Sequence, residues 1–174
     1  MKAPTIQGEK IYLRPLTAAD APRMTAWLNN PELTQYLTVE PPFTENQERE
    51  WVVSMEQSRT DLVFGVVAKD TNEHVGNIGL HHIDTGSRTA PIGIFIGAAD
   101  MRGKGYGAEA VRLVVDYAHD KLKLDTIHSD IFAFNERSVA LFSNAGFVRS
   151  EVRKDAHVKE GKSIDAVIYT YKCS

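Results

Sequence analysis

Apolar and polar positions follow two periods along the chain, and the changes of period divide it into elements. Near the start, Ile11 and Leu13 alternate with polar neighbours as in a strand, which Pro15 stops. Thr17 and Asp20 are cap-type residues, Pro22 falls where a first helical turn tolerates it, and Met24, Trp27 and Leu28 share a helical face. Asn29-Asn30-Pro31 ends that helix. Thr44 with Gln47 reads as a capping box opening a second helix, with Trp51, Val52 and Met55 as its apolar stripe. Three strands follow at Leu62–Ala68, Val75–Ile83 and Ala90–Gly97, separated by turn chemistry at Asp70–Glu73 and Asp84–Ser87. A helix from about Gly105 to His119 turns Val111, Val114, Val115 and Ala118 inward. Thr126–Phe132 is a strand, and Asn135 opens a short helix carrying Val139, Leu141 and Phe142, closed by Gly146. Val148–Arg153 and Ile164–Tyr171 form a closing hairpin around Glu160-Gly161-Lys162. The pattern predicts about seven strands and four helices in one α/β domain, residues 1–174, with a mixed sheet.

Composition narrows the partners. With 174 residues, 43% hydrophobic and 25% charged, the chain has the make-up of a globular protein. A formal charge of -3 argues against nucleic acid or an anionic membrane as the main partner. The single cysteine, Cys173, can form no internal disulfide, and the first residues lack an apolar run of signal-peptide length, so a cytoplasmic location is expected.

The segment with the most chemistry is Met101-Arg102-Gly103-Lys104-Gly105-Tyr106-Gly107-Ala108, between a strand and a helix. Glycines at alternate positions remove the Cβ atoms that hold a ligand off the backbone. Unpaired N–H groups at the helix start then converge under a positive dipole end, and Arg102 and Lys104 add cationic contacts, which makes a pyrophosphate cradle. No Ser or Thr follows Gly103-Lys104, so this is not a Walker loop, and Gly103-x-Gly105-x-Gly107 lacks the G-x-G-x-x-G step of a dinucleotide fold. A turn serving chain reversal alone is the competing reading; the strand-turn-helix context favours the cradle.

The chain resembles the GNAT acetyltransferases. That family's Arg/Gln-x-x-Gly-x-Gly/Ala signature, between the fourth strand and the next helix, is matched by Arg102, Gly105 and Gly107. Asn135-Glu136-Arg137-Ser138 and Leu141–Phe147 match a second block. Leu13-Arg14-Pro15-Leu16 and Trp27–Glu32 are similar to the branch holding ribosomal-protein alanine and spermidine N-acetyltransferases. The resemblance implies a mostly antiparallel mixed sheet whose fourth and fifth strands splay apart around acetyl-CoA. It implies that Ile94, Phe95 and Ile96 present main-chain groups to the pantetheine and thioester, that Arg102–Ala108 hold the pyrophosphate, and that Asn135, Ser138 and Phe142 lie along the arm. It implies acetyl-CoA as co-substrate, no metal, an amine acceptor, and a homodimer whose interface no residue locates.

Acetyl transfer needs a neutral amine, a polarised carbonyl and a thiol that leaves with a proton. An alkylammonium with a reference pKa of about 10.4 is only about 0.04% neutral at pH 7. The Phe95 N–H is the expected oxyanion donor. Many relatives carry a Tyr where Phe142 stands, so Ser138, one helical turn earlier, is the expected acid; a cap-box role competes. Pro91 occupies the place of a frequent Glu base, which leaves His81 and His82, together with Asp84, as candidates. In a strand the two histidines face opposite sides, so at most one can reach the cleft. Glu32, Glu40, Glu45 and Glu48 flank the first two helices and suit either a cationic amine or a solvated face. The expected acceptor is a protein N-terminal α-amine or a small amine such as a polyamine or aminoglycoside, attacking directly in a ternary complex. Two rivals remain: an acyl-CoA-binding or sensing module without transfer, motivated by Phe142 and Pro91, and a nucleotide-binding regulator using the glycine turn.

Overall fold

The computed structural model describes residues 1–174. In chain order the elements are β1 (Ile6–Gln7), β2 (Ile11–Pro15), α1 (Ala21–Leu28), α2 (Pro31–Thr34), α3 (Glu45–Gln57), β3 (Leu62–Ala68), β4 (Glu73–Leu80), β5 (Thr89–Ile96), α4 (Tyr106–Asp120), β6 (Thr126–Phe132), α5 (Glu136–Asn144), β7 (Val148–Lys159) and β8 (Lys162–Lys172). The α/β assignment holds, with eight strands rather than seven and five helices rather than four. The additions are a two-residue strand, too short to show alternation, and a four-residue helix that Asn30 caps and Pro31 starts. Asn29-Asn30-Pro31 therefore ends one helix and begins another. No helix is long and apolar enough to cross a membrane.

The strands lie in the order β1-β2-β3-β4-β5-β6-β8-β7. Every neighbouring pair is antiparallel except β5 and β6. One face of the sheet packs beneath α4 and α5: Ile11, Leu13, Phe64, Ile78, Ile92 and Ile127 join Val111, Val114 and Ala118 of α4 in one apolar cluster. Each fully buried valine of that helix stabilises by about 1.5–3 kcal/mol. On the opposite face α1 and α3 pack together beside β3, burying Met24, Val52, Val63 and Val67. Thr44 accepts from the Gln47 N–H at 3.2 Å and the Gln47 side chain accepts from the Thr44 N–H at 2.8 Å, so the capping box forms.

The feature that makes a site is a failure of pairing. β5 meets β6 only at Thr89↔Thr126, Ala90↔Ile127 and Pro91↔His128, whereas β4 stays paired with β5 as far as Ile96. Beyond Pro91 the two parallel strands part, as the splay expectation required.

Candidate active site

The phase of the β4–β5 ladder decides which backbone groups face the opening. The His81 N–H donates to the Pro91 carbonyl at 3.0 Å and the Gly97 N–H to the Val75 carbonyl at 2.9 Å. Antiparallel partners that exchange bonds recur every second residue, so Gly93 and Phe95 turn their polar groups toward β4. Ile94 and Ile96 turn theirs into the splay. This corrects the expected oxyanion donor: the Phe95 N–H belongs to the ladder, and the free edge is Ile94 and Ile96. The Ile96 carbonyl is taken by Arg102 Nε at 3.0 Å, which pins the guanidinium at the strand edge.

From there the chain turns into α4. Gly103 and Gly105 have φ of 74° and 84°, the left-handed region that glycine enters without strain, and Gly105 is the N-cap of α4. No atom lies within 4 Å of where a Cβ on Gly103 would stand, and on Gly105 it would meet only Lys10 Nζ at 3.4 Å. Lys10 comes from the β1–β2 turn and donates to the Lys104 carbonyl at 3.4 Å, so Lys10 joins Arg102 and Lys104 around the turn. Lys104 Nζ itself lies 3.5 Å from Met101 Sδ. Glu109, in the first turn of α4, is buried, its carboxylate accepting the backbone N–H groups of Glu9 and Lys10 and tying the β1–β2 turn to α4. The ring of Tyr106 is buried and its hydroxyl donates to Asp70; burial and the Asp70 carboxylate raise its pKa.

A cleft of about 630 Å³ fills the splay. Ile94, Phe95, Ile96, Arg102, Gly103, Gly105, Tyr106, Gly107, Ala108, Asn135 and Ser138 line it, so most of the expected residues come together. Asn135 is the N-cap of α5, its Oδ1 accepting from the Ser138 N–H at 3.2 Å, so the cap and the cleft position coincide. Phe142 and Lys104 do not join them: Phe142 is 2% exposed, packed edge-on against Phe147 in the core, and the Lys104 ammonium lies against Met101 outside the lining. The far end of the cleft is formed by Leu33, Tyr36, Leu37 and Phe134.

The histidine pair also falls elsewhere. β4 ends at Leu80, and His82 has φ 44°, so strand alternation stops before the pair. His81 lies beside Pro91, four strand residues or about 13 Å from Phe95. Its Nδ1 sits 3.1 Å from Asp61, whose carboxylate also accepts from Ser58 and Thr60. Neither histidine lines the cleft, because the pair sits where β5 and β6 are still joined.

Behind Phe95, on the α1 face, lies a buried polar network. Arg14 donates two bonds of 2.8 Å to Asp20, which also accepts the Thr17 N–H at 2.8 Å and stands 3.4 Å from His74 Nδ1. His74 Nε2 contacts the Gly76 carbonyl at 2.9 Å and Asn77 Oδ1 at 2.7 Å, and as both are acceptors it carries the proton there. Burial alone raises the Asp20 pKa, but hydrogen bonds from the Arg14 guanidinium and the Thr17 N–H outweigh it and hold the carboxyl well below the usual range. Trp27 packs edge-on between His74, at 5.0 Å, and Phe95, at 6.1 Å, so the network supports the strand that carries the free edge.

A splayed parallel pair, a glycine-capped helix start and a cationic rim define a cleft for an anionic, extended ligand, the class of site an acyl carrier requires. The family model for the acetyltransferase (GNAT) domain matches residues 10–148. The chain is similar to the uncharacterized N-acetyltransferase p20 of Bacillus licheniformis, 27% identical, covering 95% of this chain and 94% of that one. It is 32% identical to the alpha/beta-tubulin-N-acetyltransferase 9 of Drosophila melanogaster, over 83% of this chain and 78% of that protein. In structure it superposes on a spermidine N-acetyltransferase from Vibrio cholerae, solved with CoA and spermine, with a TM-score of 0.87 at 22% identity, covering 95% and 96% of the two chains. The chain belongs to the GNAT acetyltransferase family and is an acyltransferase of the N-acetyltransferase kind.

Proposed function

We propose that this protein is a cytoplasmic enzyme that moves an acetyl group from acetyl-CoA to a primary amine by direct attack in a ternary complex. One observation carries the reading: the free edge of Ile94 and Ile96 runs directly into a left-handed glycine turn ringed by Arg102, Lys104 and Lys10. A backbone edge suits the amides of a pantetheine arm, and the N–H groups of the helix start beside Arg102 suit its pyrophosphate. The open space over Gly103 is where a Cβ would otherwise crowd such a ligand. CoA bound to the Vibrio cholerae neighbour is consistent with the same use, and the lone Cys173 suits a reducing compartment.

When bound, acetyl-CoA supplies the acetyl carbon and the departing thiol. The Ile96 N–H donates to the carbonyl oxygen and stabilises charge as it develops there. The amine nitrogen bonds to the carbonyl carbon as the carbon–sulfur bond breaks. Ser138 Oγ gives its proton to the leaving sulfur and regains one, through water, from the new amide nitrogen. No imidazole lines the cleft and Glu136 is its one carboxylate, so an amine that is already partly neutral fits best. An α-amine, with a reference pKa of 7.7–8.0, is roughly a tenth neutral at pH 7.

Calorimetry with acetyl-CoA, and with CoA, ATP and NAD as controls, tests the donor; thiol release on a panel of amines tests transfer. Saturable acetyl-CoA binding weakened by Gly105→Glu, with thiol release on an amine, supports the reading, and preference for ATP or NAD overturns it. The shortage of ionisable groups in the cleft favours one alternative, an acyl-CoA-binding module. That alternative predicts acetyl-CoA binding without thiol release on any amine.

A further inference from the structure

We infer that the apolar end of the cleft is the acceptor pocket, that it takes a single primary amine flanked by an apolar or aromatic group, and that Lys159 holds its outer wall in place. The inference rests on the acetyltransferase reading and adds the acceptor's chemistry.

Position comes from α5. Leu141, near its C-terminal end, comes within 3.6 Å of a Cβ built on Gly107, so this end lies at the anion turn. Asn135 precedes Leu141 by six residues, about 9 Å along a helix. Phe134 lies just beyond, with Tyr36 at a ring separation of 5.8 Å. The apolar wall therefore stands at the opposite end of the cleft from the glycine turn, with Asn135 and Ser138 between them.

Chemistry comes from what that wall carries. Tyr36 and Phe134 are 38% and 51% exposed, large aromatic surfaces left facing an opening. The charged side chains lining the cleft are Arg102, Glu136 and Arg137. One carboxylate cannot partner the several ammonium groups of a polyamine or an aminoglycoside, and a desolvated cation without a partner is costly. The acidic residues of the first helices do not help. Glu48 is buried at 5% exposure, where burial raises its pKa, Glu45 pairs with Arg49, and Glu32 and Glu40 lie outside the lining. An apolar substituent, by contrast, covers the ring faces.

The wall is secured from far along the chain. Lys159 Nζ donates to the carbonyls of Leu37 and Val39, both at 2.8 Å, binding the segment after α2 to β7. Lys159 lies outside the residues shared with the family model. It is a positioning residue, acting through Tyr36 and Leu37.

A free monoamine and a polypeptide N-terminus can both present this chemistry. The test measures thiol release from acetyl-CoA with 2-phenylethylamine, a peptide beginning with Phe, the same peptide beginning with Gly, spermidine and neamine. One of the two phenyl-bearing amines should exceed the Gly-initial peptide and both polycations by about tenfold or more in kcat/KM; whichever leads identifies the source. Phe134→Ser and Lys159→Met should each raise the acceptor KM about tenfold, leaving acetyl-CoA affinity and kcat near the parent values, and Lys159→Arg should restore most of the loss. Preference for spermidine or neamine, or an unchanged acceptor KM in both variants, overturns the inference and leaves the acetyltransferase reading standing. Thiol release with none of the amines overturns that reading and this inference together.

Discussion

Replacing each turn glycine by alanine separates backbone strain from steric crowding. Gly105 sits at φ 84°, where an alanine pays about 1–2 kcal/mol for the left-handed conformation. Gly107 lies two residues later, inside the first turn of α4 with ordinary helical φ, and a Cβ there would meet Leu141 at 3.6 Å, normal van der Waals contact. Both substitutions stiffen the unfolded chain, which stabilises by about 0.4–1 kcal/mol wherever the native conformation is compatible. That gain is common to both variants and cancels between them, leaving the strain as the difference. For a chain of this length 1 kcal/mol moves the midpoint by about 2–4 °C, so Gly107→Ala should melt roughly 2–8 °C above Gly105→Ala. Gly103→Ala, at φ 74° with nothing nearby, should group with Gly105→Ala. Thermal unfolding of the three ligand-free variants in one buffer reads this directly. Equal midpoints for Gly105→Ala and Gly107→Ala, or the reverse order, would refute the left-handed cap on which the anion cradle depends.

Further predictions concern protons and the buried network. Ser138→Ala should lower kcat on the order of a hundredfold while leaving the acetyl-CoA Kd unchanged, measured by thiol release and calorimetry; an unaltered kcat removes Ser138 from the proton path. Asp20→Asn breaks a buried pair and should destabilise by about 3 kcal/mol in urea unfolding; a loss below about 1 kcal/mol contradicts the network's structural role. The Asp20 pKa is lower folded than unfolded, so its stabilisation is complete above about pH 4 and lost as pH falls toward the folded value; the acid limb of stability should flatten in Asp20→Asn. Burial, then the Arg153 charge, lowers the His128 pKa, so the unfolded chain binds more protons just below about pH 6.5. Stability should fall as pH drops through that range, and His128→Gln should remove that part of the slope; an identical slope in the variant contradicts it.

The parts of the site that could be read from the chain are those whose requirement is local. A glycine closing a helix, a Thr–Gln capping box, and an Asn heading a helix each declare themselves within four residues, and Gly146, Thr44 and Asn135 stand as expected. What escaped depends on register or on distant contact. Whether Phe95 or Ile96 faces the opening turns on the hydrogen-bond phase with β4, which no periodicity in β5 encodes. The apolar alternation extends the strand to Ile83 and so sets His81 and His82 on it; the strand ends at Leu80, at the joined end of the splay. Lys10, Tyr36 and Lys159 meet the glycine turn, the cleft and its outer wall only through the tertiary fold, and their charge or aromatic character marks many surface residues equally well.

The bonds from Lys159 to Leu37 and Val39 join positions 122 and 120 apart in the chain. During synthesis at about 5–20 residues per second, the segment after α2 therefore leaves the ribosome roughly 6–24 s before the residue that fastens it. The glycine-turn side of the cleft, from β5 to α5, lies wholly upstream of Lys159. In a nascent chain the residues of β5 to α5 thus emerge first, and the segment after α2 is fastened only when β7 has emerged, so the last hairpin completes the apolar end of the cleft.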